Sequence, residues 1–246
     1  MLDQYKEQLE HTRKPAMRIT LNSKAAEHPW NSKVGGVPYL PTGMAYPVDA
    51  EGEKLQFLAQ INFEEMPALE GYPTQGILAF YVGTDISCGF DFNDPLNQAG
   101  FRVIYFEEII QDMDRLQIRE PSYVEDSPIK RESSILFEPI QQIITIEDGN
   151  CELNYTVYQD LLETYDIFKT NYNSRTHLLG GYPSFVQEDP RIYHEKIQDY
   201  VLLFQLDSDY DAEILWGDVG VANFFIHPND LKNRDFSRVA YTWDCS

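Results

Sequence analysis

The sequence predicts an α+β fold: strand-rich antiparallel sheets arising from an internal duplication, with a few flanking helices. Three observations point there. Tyr and Phe are plentiful, at 16 and 14 residues, and large aromatics suit a half-buried pleated surface. Short apolar runs recur between turn clusters rich in glycine and proline. The chain also matches itself when shifted by 145 positions, which implies two copies of one unit.

In chain order, Leu2, Tyr5 and Leu9 share one helical face and Pro15 closes the segment, so a short helix opens the chain. A strand over Ala16–Leu21 follows, then a turn-rich stretch from Ser32 to Pro41 whose glycines and prolines fix irregular backbone. Strands are expected over Leu55–Asn62, Gly76–Gly83, Arg102–Glu107 and Ile135–Thr145. The segment from Gln111 to Ser134, charged and broken by prolines, reads as a surface connection between the halves. Tyr158, Leu161, Leu162, Tyr165 and Phe168 recur at helical spacing, predicting a helix over Tyr158–Lys169 with Thr156 and Gln159 as a capping box. Asp189-Pro190 has the form of a helix start, and strands return at Tyr200–Leu206, Val221–Ile226 and Val239–Trp243.

The shift by 145 sets Gly35-Gly36 on Gly180-Gly181, Pro38 on Pro183, Leu58 and Gln60 on Leu203 and Gln205, and Phe80 on Phe225. Further on, Arg102-Val-Ile-Tyr105 matches Arg238-Val-Ala-Tyr241 at a shift of 136. The argument rests on the order of features: glycine turn, strand with an inward Gln, aromatic strand, short strand. The chain therefore divides into a first repeat over about 32–108, a connecting segment with a helix over about 109–176, and a second repeat over about 177–246, all within one domain.

Nineteen basic against 40 acidic residues give a net charge of −21. Nucleic acid and anionic membrane both need cationic surface, so neither is an expected partner. A basic protein, a polyamine or metal ions fit better, although acidity also serves solubility alone. Cys88, Cys151 and Cys245 match no zinc spacing. The N-terminus lacks the apolar core of a signal peptide, and no window reaches the ~18 apolar residues of a membrane span. The expected setting is the cytoplasm.

The densest chemical feature is Leu206-Asp-Ser-Asp-Tyr-Asp-Ala-Glu-Ile-Leu-Trp-Gly-Asp218, with five carboxylates and no Lys or Arg. Alternating carboxylates after a strand can converge on a hard cation, which makes Asp207, Asp209, Asp211 and Asp218 a calcium-like candidate set. Against the EF-hand pattern, Ala212 stands where glycine is needed and Asp218 where a bidentate glutamate belongs. A solvated acidic loop is the simpler reading. His177 could act as a base or ligand, yet with no partner fixed by spacing it reads more simply as a hydrogen-bonded structural histidine, and His11, His28, His194 and His227 show no ligand pattern either. The glycine pairs fit no phosphate-binding fingerprint. No catalytic residues are assigned. His177, Glu213, Trp216, Trp243 and Asp244 form the candidate functional surface.

Ser32-Lys-x-Gly-Gly-x-Pro-x-Leu-Pro41, Phe57-Leu-Ala-Gln-Ile-Asn62, His177-Leu-Leu-Gly-Gly-Tyr-Pro183, Gln205-x-Asp-Ser-Asp209, Trp216-Gly-Asp218 and Asp235-Phe-Ser-x-Val-x-Tyr-x-Trp-Asp-Cys245 together resemble the YwqG-like family of bacterial proteins. The likeness spans nearly the whole chain and departs at Gly180-Gly181, where one glycine is usual. It implies a duplicated, cytosolic α+β protein of unknown function and brings no catalytic residues. Through the association of some members with toxin systems, it also implies an immunity-type or antitoxin-like role. The leading expectation is a noncatalytic acidic protein-binding module with no cofactor. The alternative is a metal-dependent or small-molecule enzyme with its site at the acidic loop 207–218.

Overall fold

In the computed structural model, the described residues are 5–121, 123–145, 147–149, 153, 155–163 and 176–246. Ten strands make one antiparallel sheet: β1 (Lys14–Asn22), β2 (Lys33–Val34), β3 (Gln56–Asn62), β4 (Ile77–Val82), β5 (Phe101–Phe106), β6 (Ser133–Gln142), β7 (His177–Gly180), β8 (Val201–Asp207), β9 (Val221–Ile226) and β10 (Ala240–Asp244). The described α-helices are short: α1 (Lys6–Glu10), α2 (Tyr155–Glu163) and α3 (Pro228–Lys232). The protein is therefore mostly β, and the α+β expectation is corrected. Of the helix expected over the first 14 residues, the described part spans Lys6–Glu10 and gives way to β1 at Lys14, while residues 1–4 lie outside the described residues. Likewise Asp189-Pro190 starts only a 3-10 turn, with the Asp189 side chain accepting from the Arg191 N–H.

The strand order is β10-β9-β8-β7-β1-β6-β2-β3-β4-β5. At its centre β1 pairs with β6 over nine residue pairs, from Lys14–Gln142 to Asn22–Ser134. Each of these strands also borders the second strand of the opposite half, β1 beside β7 and β6 beside β2. The halves thus exchange their first strands and share one sheet. Strands β3 and β8, at matching places, are buried along almost their whole length and carry a bulge, between Phe57 and Ala59 and between Leu202 and Phe204. A bulge sharpens local twist, and the two wings of the sheet curl until they meet. Phe80 of β4 packs on Phe204 and Phe224, and Phe101 of β5 on Tyr241. Across the seam Tyr241 N–H donates to Pro95 O and Gln98 Nε2 to Ser237 O, leaving a nearly closed barrel. Its interior is the main hydrophobic core, from Met17 and Leu58 to Phe224 and Tyr241.

The correspondence between halves differs from the sequence alignment beyond residue 62. Ala59 faces Phe80 while Phe204 faces Phe224, so Phe80 matches Phe224 instead of Phe225. In the last strand Val103 and Tyr241 occupy like positions, opposite Phe80 and Phe224. One residue fewer between β8 and β9 moves the register, which identity counting cannot detect. Strands β2 and β7, at two and four residues, lay hidden in the stretches read as turns. The connection through Gln111–Ser134 is more than surface: Ile129 is fully buried and bridges Ile214. Cys151 and the part of the expected 158–169 helix beyond Glu163 lie outside the described residues. Thr156 falls inside α2, past the cap position assigned to it.

Candidate functional site

Strand β8 ends at Asp207 and the acidic loop begins there. From Asp211 to Trp216 its burial alternates. Ala212, Ile214 and Trp216 point inward, while Asp211, Glu213 and Leu215 face solvent. Paired bonds between Asp209 and Ile214, N–H to O at 2.8 Å each way, close the loop as a small hairpin. Ile214 and Leu215 are further clamped against Ile129 and Pro128. A period of two sends Asp211 and Glu213 outward.

His177 stands at the start of β7 and is 5% exposed. Its Nδ1 accepts the Asp207 N–H at 3.0 Å, and its Nε2 faces Asp209 Oδ2 at 3.4 Å. With Nδ1 as the acceptor, the Nε2–H is the donor to Asp209. The same slot in the first half holds Ser32, whose Oγ accepts the Asn62 N–H at 2.9 Å. His177 thus takes over the duty of a serine hydroxyl and adds a bond to the loop. That bond, with N–H groups of Ala212 and Asp211, holds the Asp209 carboxyl down at about 2, although partial burial opposes the shift.

His177, Asp207, Ser208, Asp209 and Asp211 border a cavity of about 420 Å³ against Ile19–Leu21 of β1. Part of the predicted acidic set is therefore brought together. Asp218 is not on its wall, and neither is Glu213, whose carboxylate lies 3.6 Å from Arg131 Nε. Among the described residues no three His, Cys, Asp or Glu side chains are arranged to hold a metal ion. Ser208 is committed as well: its Oγ donates to Gly220 O and accepts the Trp216 N–H. Trp216 is fully buried against Trp243, ring centroids 6.0 Å apart. Trp243 Nε1 donates to Ser87 O at 2.6 Å, and Asp244 accepts the N–H groups of Val186 and Gln187. Trp216, Trp243 and Asp244 therefore hold the fold, whereas Asp211, Glu213 and Asp218 remain as exposed acidic surface. Burial, with Asp85 and Asp126 beside it, pushes the Cys88 thiol up to about 12 and removes it as a nucleophile.

One cluster had no signal in the sequence beyond Asp189-Pro190. Arg191, 4% exposed, is held by Asp189 through Nε and Nη2, by Asp148 at 2.8 Å and by Tyr200 O at 2.9 Å. Burial disfavours its charge, but these carboxylates outweigh that and raise its pKa. Asp148 and Arg191 are 43 positions apart, a separation no local pattern reveals.

No helix among the described residues is long and apolar enough to cross a membrane. No curated protein matches the chain. A family model does, over residues 32–245, from the glycine turn of the first half through the last strand. The chain belongs to the family described as a domain of unknown function, DUF1963.

Proposed function

We propose that this protein is a noncatalytic, acidic protein-binding module that captures a cationic protein, in the manner of an immunity protein or antitoxin. The observation that carries the reading is the acidic loop, whose alternation turns Asp211 and Glu213 to solvent on a hairpin anchored by Ala212, Ile214 and Trp216, with Asp218 exposed just beyond it. Several cations outside the loop are paired: Arg18 with Glu138, Arg234 with Glu107 and Arg238 with Asp230. With a net charge of −21, the outward field is negative and steers a basic partner. The motifs quoted above support the narrower YwqG-like assignment, and the free, buried thiol of Cys88 suits a reducing cytoplasm.

The cavity at His177 favours a second reading, a small-molecule enzyme. It is the weaker one, because both ring nitrogens of His177 are already engaged and a general base needs a free lone pair. The test is affinity capture from the native host at about 0.05 M and about 0.5 M salt, followed by titration of the purified pair. A basic protein retained only at low salt supports the reading. Absence of any salt-sensitive partner refutes it.

A further inference from the structure

Another concavity lies away from the acidic loop. A cavity of about 640 Å³ opens between the start of β1, Ile144, Asp148 and Leu153, and the segment before β8. Lys14, Ile144, Tyr182, Arg191, Tyr200 and Val201 stand on its wall. This volume lies in the range of small-molecule sites. A cavity of about 540 Å³ occupies the matching place in the first half, lined by Tyr46, Lys54, Leu55 and Gln56. Shifted by 145, these become Arg191, Asp199, Tyr200 and Val201, all on the wall of the larger one. The concavity is therefore a property of the fold, furnished differently in each half.

Two cationic side chains, Lys14 and Arg191, stand on the wall of the larger cavity. Lys14 Nζ sits 4.4 Å from the centre of the Tyr182 ring, and no ion pair to Lys14 occurs among the described residues. Burial lowers its pKa, the more distant Asp148 only partly offsets this, and Arg191 adds repulsion. Arg191 has five N–H groups. Asp189, Asp148 and Tyr200 O take four, leaving one on Nη1. Asp148 and Asp189 are bound to Arg191, and the remaining wall carboxylate, Asp199, is solvent exposed. Lys14 and Arg191 thus stand on the cavity wall beside aromatic and aliphatic side chains.

We propose that this cavity binds a small organic carboxylate with an apolar body, its oxygens accepting from Lys14 Nζ and the open Arg191 N–H while Tyr182, Tyr200 and Ile144 cover the rest. The site is independent of the protein-binding role and would stand if that role failed.

The full chain should be titrated with phenylacetate, hexanoate and 4-methylvalerate, with phenylacetamide and inorganic phosphate as comparisons. Thermal melting and the spectrum of ¹³C-methylated lysines provide the readouts, and Lys14→Arg assigns the Lys14 resonance. At least one carboxylate should raise Tm saturably, with Kd below about 1 mM, and shift the Lys14 signal. Lys14→Met should weaken binding about tenfold or more, and Lys14→Arg should retain most of it. Should Lys14→Met fail to fold, the Lys14 signal of the unmodified sequence still decides. Equal binding of phenylacetamide or phosphate, unchanged affinity in Lys14→Met, or no response to any of the three carboxylates would overturn the proposal.

Discussion

Gln60 and Gln205, 145 positions apart, make the same hydrogen bonds. Each Oε1 accepts a backbone N–H at 2.7 Å from the residue 21 positions earlier, Tyr39 or Ser184. Each Nε2 donates to the carbonyl 29 positions earlier, Asn31 or Thr176. Both side chains are fully buried, so each amide serves as an internal backbone substitute that pins a loop to the sheet. Gln60→Leu or Gln205→Leu leaves those groups without partners in a dry interior. Each change should cost about 2–4 kcal/mol, read as a lower urea midpoint at unchanged slope.

Gly181, at φ +73, is required by both conformation and space. A Cβ there would overlap Gln142 Oε1 and meet Ala16 Cβ at 2.7 Å. Gln142 Oε1 also accepts the Tyr182 N–H, so the neighbour cannot yield without losing a bond. Gly181→Ala should cost about 2 kcal/mol or more. By contrast, Gly43→Ala at φ +90, with open space around it, should cost only the backbone strain of about 1–2 kcal/mol. Paired urea melts check the difference.

Lys33 is 2% exposed, with Nζ 3.4 Å from His28 O and 4.0 Å from Glu132 Oε1. Burial lowers its pKa to about 8, though Glu132 and Glu65 push the other way. Below pH 8 both states carry the proton and the folded state bears the full desolvation cost. Between about 8 and 10.4 the unfolded chain binds more protons, so stability should rise with pH. Lys33→Met should be about 1–3 kcal/mol more stable at pH 7 and lack that rise. Urea melts at pH 7, 8.5 and 10 measure both effects.

Asp209 behaves in the opposite sense. Its folded pKa is depressed to about 2 by the His177 bond, so its contribution is complete above the unfolded value near 3.9 and vanishes as pH falls through about 2. The carboxylate is 31% exposed, and screening reduces the effect to about 1 kcal/mol. Asp209→Asn should be less stable than the unmodified protein by that amount from pH 7 to 4. The gap should close toward pH 2 in the same melts.

Much of this architecture was legible in the sequence. The long strands at Ala16–Leu21, Leu55–Asn62 and Val221–Ile226 announced themselves by apolar runs between turns, and the matched glycines marked like positions in both halves. Helix content was overread because amphipathic spacing over a few residues does not overcome a neighbouring strand. The exchange of β1 and β6 between halves was invisible, since pairing partners more than 100 residues apart leave no local trace. At the site, the acidic run was plain, but its outward alternation depended on Ala212, Ile214 and Trp216 being taken as anchors. His177, read more simply as a hydrogen-bonded histidine, occupies the slot of Ser32, a correspondence that only the pairing of the strands reveals. Lys14 and Arg191 went unnoticed because cations scattered through the chain carry no pattern until the fold gathers them.

The measurement that tests the central claim most directly is the salt dependence of affinity for the captured partner, compared between the unmodified protein and an Asp211→Asn/Glu213→Gln/Asp218→Asn variant. An acidic docking surface predicts that affinity falls about tenfold or more from about 0.05 to 0.5 M salt and that the variant loses mainly association rate. A partner bound with equal affinity at both salt concentrations, and equally by the variant, would contradict it.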